Sequence, residues 1–286
     1  MSPVQSTSAE ATSKGQPVRV LDRPPIVRAA VEAGNLVGRA LLQLRREPAE
    51  LISALAFPVV AVLLFGYVFG SAISVPGGGD YRAFLMPGLF GMTMVFGLAG
   101  TAMYVVTDTS RGVTDRLRAM PLTPGSVLLG RSGADLALAL VDLVALVGVG
   151  LLVGWRIESG PAAAVAAIGL LLWLRIALVW VGIWLGLLMR TPETAMRTFG
   201  LMLPVAMLSN AFVAPDLMPR WLQAVAEWNP LSSTVAAARE LFGNPGSPSD
   251  GSWVATHAIE MAVVWPAVLL LVFVPAALHR YRGLGR

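Results

Sequence analysis

The chain has 286 residues, of which 56% are hydrophobic and only 13% charged, with 21 Lys and Arg against 17 Asp and Glu and no cysteine. Mean hydropathy is +0.69 and the pI is about 10.1. A soluble domain carries roughly 25% charged residues, so a water-facing surface is excluded over most of the chain. The missing cysteines exclude a disulfide scaffold, a zinc–cysteine centre and a thiol nucleophile.

Residues 1–25 are rich in Ser, Thr, Pro and Gln and carry no apolar run. They bury too little surface to offset the entropy of ordering, and a disordered cytoplasmic tail is expected. Lys14, the one lysine, lies in this tail. No GxxxxGK[ST] phosphate loop can therefore form, and the chain does not bind ATP by itself in that way.

Residues 26–48 behave differently. At 100° per residue, Val27, Ala30, Val31, Gly34, Val37, Gly38, Leu41, Leu42 and Leu44 gather on one arc, with Arg28, Glu32, Asn35, Arg39, Gln43 and Arg46 opposite. The pattern predicts an amphipathic helix lying in the membrane interface, with docking on soluble protein as the alternative. Pro48 marks its end.

Apolar stretches long enough to cross about 30 Å of hydrocarbon then recur at 51–70, 84–106, 127–153, 162–188, 196–214 and 253–278. The first is too long for a secretory signal. Prolines such as Pro58, Pro87, Pro204, Pro266 and Pro275 fall inside them, as membrane helices tolerate. The expected fold class is an all-α integral membrane protein with six transmembrane helices. Sixteen basic residues fall on the tail and the helix 26–48, the second and fourth loops and the C-terminus, against four (Arg82, Arg156, Arg220, Arg239) on the other side. This asymmetry predicts both termini in the cytoplasm. The arginines lie at membrane flanks without a nucleic-acid-reading motif, so no nucleic-acid partner is expected.

Reactive groups are sparse. HExxH, GxSxG and DxDxDG patterns are missing from the sequence, and no metal site is expected. His257 and Glu260, three apart, read more simply as interfacial polar groups than as a metal pair. Ionisable residues within the bilayer are costly and invite explanation. Asp135 and Asp142 are seven apart, hence on nearly the same face of the third span, about 12 and 22 Å from its cytoplasmic end. Arg175, in the fourth span, matches the depth of Asp135. An Asp135–Arg175 pair is predicted, with Arg131 one turn away as a competitor, and an interhelical structural pair is favoured over a proton relay. Met86, Met92, Met94, Phe96 and Met103 of the second span and Met202, Met207 and Phe212 of the fifth suit a promiscuous pathway or ordinary packing equally. Gly182 and Gly186 suit a close helix contact. In the long outer loop 215–252, Leu217, Met218, Trp221, Leu222, Val225 and Trp228 recur at helical spacing. They predict a segment that dips into the membrane or covers a pathway mouth, a membrane-surface helix being the alternative.

Three stretches carry a resemblance. The first runs Ser209-Asn210-Ala211-Phe212-Val213, then Met218-Pro219-xx-Leu222-Gln223, then Asn229-Pro230. The second runs from Glu47-Pro48 through Pro58 to Leu64-Phe65-Gly66-Tyr67-Val68-Phe69-Gly70. The third is Asp108-xx-Arg111-Gly112-xxx-Arg116-Leu117-Arg118-xx-Pro121-Leu122, followed by Gly130-Arg131. Together they resemble the daunorubicin-resistance branch of ABC type-2 permeases over roughly residues 40–283. Arg220 and Val113-Thr114 depart from the pattern.

The resemblance implies an ABC type-2 transmembrane domain over 49–286, half of a dimer with a second permease copy or paralogue. A separate ABC ATPase subunit would carry ATP and Mg, with no cofactor in this chain. The helix 26–48, with Arg28, Arg39 and Arg46, and the loop with Arg111, Gly112, Val113, Asp115, Arg116, Leu117, Arg118 and Pro121 would form the ATPase-coupling surface. Two short re-entrant helices between Pro215 and Arg239 would gate the exit. Asn210, Phe212, Pro215, Met218, Pro219, Trp221, Leu222, Asn229 and Pro230 would line gate and pathway. The implied function is ATP-driven export of an amphipathic drug, polyketide or lipid-like compound by alternating access, in a plasma (inner) membrane. Arginine usage suggests a GC-rich bacterium. A proton-coupled carrier built on Asp135, Asp142 and Arg175 is the alternative. A membrane enzyme is disfavoured, because neither membrane face clusters polar groups.

Overall fold

The computed structural model describes residues 56, 59–68, 75, 78–111, 124–189, 191–200, 202–246 and 252–283. The tail 1–25, the interfacial helix expected over 26–48 and the loop 112–123 lie outside the described residues, as does part of the first expected span.

Among the described residues the chain is helical, with no strand. In order, the helices are α1 (Val62–Val68, π-helical), α2 (Tyr81–Ser110), α3 (Pro124–Leu152), α4 (Pro161–Leu188), α5 (Pro192–Phe199), α6 (Met202–Met207), α7 (Arg220–Glu227), α8 (Pro230–Phe242), α9 (Trp253–Thr256) and α10 (Ala258–Gly283). Four of them, α2, α3, α4 and α10, are long and apolar enough to cross a membrane. They correspond to the second, third, fourth and sixth expected spans.

The fifth expected span, 196–214, is not one helix. It breaks into α5 and α6, and the chain leaves helical geometry at Leu208. Gly200 follows the first piece as a turn residue, and Pro204 has no N–H to donate. The backbone N–H of Asn210 donates to Ser232 Oγ rather than to a helical carbonyl, and Ser209 Oγ donates to Ala206 O. Side-chain bonding of this kind competes with the helix ladder, and apolar composition alone does not register it.

α2, α4 and α10 run parallel and α3 runs against them, so the bundle has two distinct ends. Its cap end carries Tyr81, Leu152, Pro161 and Ala258, and its loop end Ser110, Pro124, Leu188 and Gly283. Glycine allows α4 to lie directly on α2. A Cβ on Gly182 would stand 2.8 Å from the Leu98 carbonyl oxygen, and one on Gly186 2.7 Å from that of Ala102. The core concentrates towards the cap end, where Phe84, Leu85, Met86, Leu89 and Phe90 of α2 meet Trp155 and Phe242. The rings of Phe90, Trp155 and Phe242 meet edge to face at 5.2, 5.2 and 6.0 Å, the geometry aromatic quadrupoles favour. On the outside of α10, Val264, Val268, Leu271 and Val272 are exposed, as lipid-facing positions are in a span.

Candidate functional site: a pinned cap and a buried charge chain

Residues 208–246 fold over the cap end. α8 enters between α2, α4 and α10, and every residue from Leu231 to Arg239 is buried. Asn229 starts this helix: its Oδ1 accepts from Leu231 N at 2.9 Å while its Nδ2 donates to Leu208 O at 2.8 Å. Pro230 occupies the first helical position, where its missing N–H costs nothing. Gly243 closes the helix with φ 74°, and Glu158 N donates to Phe242 O.

At the centre lies Arg239, fully buried. Its Nε donates to Phe84 O at 2.9 Å, its Nη2 to Asn210 O at 2.8 Å and Ala211 O at 3.2 Å, and its guanidinium stacks 3.6 Å from the Phe84 ring centre. The partners found among the described residues are carbonyls and a ring, not a carboxylate. One cation thus ties α8 to both α2 and the 208–212 segment. Tyr81 Oη donates to Phe212 O at 2.7 Å, and Asn210 Nδ2 donates to Ser232 O at 3.1 Å. Trp155 Nε1 donates to Asn244 Oδ1 at 2.8 Å. Gly88 lets the segment approach, because a Cβ there would lie 2.2 Å from the Ala211 carbonyl oxygen.

The structure therefore brings Asn210, Phe212, Asn229 and Pro230 together in this cap, with the Phe65 ring of α1 4.8 Å from that of Phe212. Pro215 opens a one-turn 3-10 helix, and Met218 and Pro219 lead into α7. Leu222 is half-buried. α7 is turned outward: Leu217, Trp221, Val225 and Trp228 are exposed, whereas Glu227, which accepts from Gln223 Nε2, is buried. Arg239, Tyr81, Gly88 and Trp155 did not stand out from the sequence. Arg239 looks like one more membrane-flank arginine; its place in the otherwise uncharged, small-residue run Ser232–Ala238 is the signal that marks it.

The intramembrane charges form a chain towards the loop end. Asp135 pairs with Arg131, four residues earlier, at 2.7 Å, so the competitor rather than Arg175 holds the direct contact. The i,i+4 spacing places Arg131 on the same helix face at no cost in helix–helix geometry. Arg175 joins indirectly: its Nη2 donates to Thr101 Oγ1 at 3.3 Å, and Thr101 Oγ1 donates to Asp135 Oδ2 at 2.7 Å. Arg175 Nη1 also donates to Met94 O at 3.2 Å, in a space that Gly97 leaves open. The Arg131 guanidinium lies 3.5 Å from the Tyr104 ring centre. Asp142 is half-buried one heptad further along α3. Met86, Met92 and Met94 are buried in the packed core. His257 stacks on Trp253 at 4.5 Å, with Nδ1 2.9 Å from Trp253 O.

Arg111 ends α2, its N–H donating to Thr107 O. Gly112, Val113, Asp115, Arg116, Leu117, Arg118 and Pro121, together with Arg28, Arg39 and Arg46, lie outside the described residues.

The model of the ABC-2 type transporter family matches residues 33–242. The chain is 30% identical over 263 residues to the "Daunorubicin resistance ABC transporter permease protein DrrB1" of Streptomyces coeruleorubidus, covering 92% of this chain and 90% of that protein. It is 24% identical over 166 residues to the "Probable multidrug ABC transporter permease YbhR" of Escherichia coli strain K12, covering 57% of this chain and 44% of that protein. The match takes in α1, the charge chain and the cap as far as Phe242, and the chain belongs to the ABC-2 type transporter family as a DrrB-like membrane permease.

Proposed function

We propose that the chain is the transmembrane subunit of an ATP-driven exporter. It works as a dimer and moves an amphipathic drug, polyketide or lipid-like compound out of the cell by alternating access. The observation that carries this reading is the nearly end-to-end likeness to a permease named for daunorubicin resistance. The permease breaks no bond. A partner ATPase carrying ATP and Mg docks on 26–48 and the loop 108–122, on the side where sixteen basic residues gather.

In this reading the cap end faces outward, and α7 and α8 are the re-entrant gate. α2 is the transmission element. Its 30 residues make a rod of about 45 Å, with Arg111 at the docking end and Phe84, the Arg239 acceptor, at the other. A tilt imposed at the loop moves the Phe84 carbonyl and the Gly88 contact together, which releases the cap. Asp135 and Arg175 serve as a structural latch, because Arg131 and Thr101 each occupy one oxygen of Asp135.

The test co-expresses the chain with its ATPase and follows uptake of a fluorescent anthracycline and of a fluorescent phospholipid into inside-out vesicles. ATP-dependent uptake of either, abolished by Arg116→Ala with Leu117→Ala while the chain stays folded, supports the reading. Uptake driven by a proton gradient without the ATPase, and lost in Asp135→Asn with Asp142→Asn, would instead establish the carrier.

A further inference from the structure

A cavity of about 10 Å³ lies where the 208–215 segment, the end of α7, the first turns of α8 and the start of α10 meet. Asn210, Glu227, Ser232 and Ser233 form its polar wall, and all four are buried. Their hydrogen bonding is incomplete. Among the described residues, Asn210 Oδ1 and Ser233 Oγ have no partner. Glu227 Oε1 accepts from Gln223 Nε2 at 2.9 Å, while Oε2 receives no bond and no cation pairs with the carboxylate among the described residues. Ser232 Oγ accepts from Asn210 N at 3.1 Å, and its own hydrogen finds no acceptor among those residues. Two acceptors therefore lack donors and two hydroxyl hydrogens lack acceptors, all around one cavity. Burying polar groups in that condition is costly.

We propose that this cavity binds one water molecule, which donates to Asn210 Oδ1 and Glu227 Oε2 and accepts from the hydroxyls of Ser232 and Ser233. The volume is that of a single water-sized sphere, the smallest space in which a buried water is held. The valence also matches. Water brings two hydrogens and two lone pairs, one for each group left over, whereas a bare cation could accept neither hydroxyl hydrogen. Burial of the wall atoms follows from the fit. A water in so tight a site touches all its walls at once, so each wall atom keeps almost no accessible area of its own. Asn210 belongs to the segment pinned by Arg239, Glu227 to the outward-turned α7, and the two serines to the buried α8. The water is thus the joint that ties α7 to the cap. This assignment is independent of what is exported and of how transport is driven.

The experiment is X-ray hydroxyl-radical footprinting of the full chain in nanodiscs, with H2(18)O as the probe and adducts mapped by peptide mass spectrometry. A bound water is split in place and marks the side chains beside it. Val254, on the cavity wall, is 4% exposed, and Val235, on α8 away from it, is 0% exposed. Modification of Val254 is expected to exceed that of Val235 severalfold. Glu227→Met removes an acceptor and Ser233→Val fills the cavity; each is expected to cut Val254 modification severalfold and leave Val235 unchanged. Either variant decides the matter if the other does not fold, as judged by gel filtration. Modification of Val254 no faster than Val235, or unaltered by either variant, would overturn the proposal. So would a change in Val254 modification when N-methylglucamine replaces sodium and potassium, which would mean a bound cation in place of water.

Discussion

The two ends of the bundle are held by different physics. At the cap end, directional hydrogen bonds from side chains join segments far apart in sequence: Arg239 to the backbone of Phe84, Asn210 and Ala211, Tyr81 to that of Phe212, and Trp155 to the Asn244 side chain. Towards the loop end, beyond the chain of Asp135, Thr101 and Arg175, the contacts are chiefly steric. Gly182 and Gly186 of α4 rest on α2, and a small apolar cluster of Val105, Leu128, Val179, Ile183, Leu187, Ala277 and Tyr281 joins α2, α3, α4 and α10. Directional bonds fix one geometry and break together, whereas apolar contacts between helix faces tolerate small displacements. In the proposed function, a cap that snaps and a base that slides suit a helix bundle pushed at one end and opened at the other.

That contrast can be broken first at Arg239. Arg239→Met leaves the carbonyls of Phe84, Asn210 and Ala211 facing an apolar side chain. The expected loss is about 2–4 kcal/mol, measured as thermal unfolding in detergent. Arg239→Lys should rescue little, because an ammonium cannot reproduce the planar fork that spans these acceptors. Full stability in both variants would show that the cap is not pinned there.

Gly88→Ala comes next, at about 1–3 kcal/mol. The new methyl meets backbone at Ala211, so the cap must lift from α2. Faster hydrogen exchange is expected across 208–212 and not at Gly182. The matching change Gly186→Ala, facing Ala102 O and Val105, should loosen the loop end and leave 208–212 protected. Identical exchange patterns from the two variants would remove the distinction between the ends.

Arg131→Gln takes away the direct partner of Asp135 and should cost about 1–2 kcal/mol. In a double-mutant cycle with Asp135→Asn the two losses should be markedly less than additive. Additive losses would argue against the latch.

The smallest effect is at Asp80, which caps α2 by accepting from Arg82 N and pairs with the Arg82 guanidinium at 2.6 Å. That guanidinium holds the Asp80 carboxyl below its ordinary value. Its contribution is therefore present above the ordinary carboxylate range and lost as the pH falls through the lowered pKa. Because the pair is exposed, Asp80→Asn should cost under about 1 kcal/mol and flatten only the acid limb of a stability–pH profile.

Much of this was legible in the chain. Four uninterrupted apolar runs became α2, α3, α4 and α10, because length and hydropathy suffice to define a membrane helix. The helical spacing of Leu217, Trp221, Val225 and Trp228 was visible, as were Asp135 and Arg175 as buried charges in need of partners. That the run 196–214 is not one continuous helix was not legible, because its helical geometry ends through bonds to Ser232, a residue 22 positions beyond Asn210. The partner of Asp135 was misjudged because depth along two helices does not reveal their rotation about their axes. Thr101, on a third helix, settles the contact by standing between Asp135 and Arg175.

The sequence by itself determined the class of solvent, the long spans, the family likeness and the residues too costly to bury without a reason. These follow from composition, period and motif, which are local properties of the chain. Only the tertiary structure decided that Arg239, one flank arginine among several, is the fully buried pin of the cap. It also decided that Gly88 is the place where backbone meets backbone. Those facts depend on which groups from distant segments come within about 3 Å of one another, and a one-dimensional pattern does not contain that information.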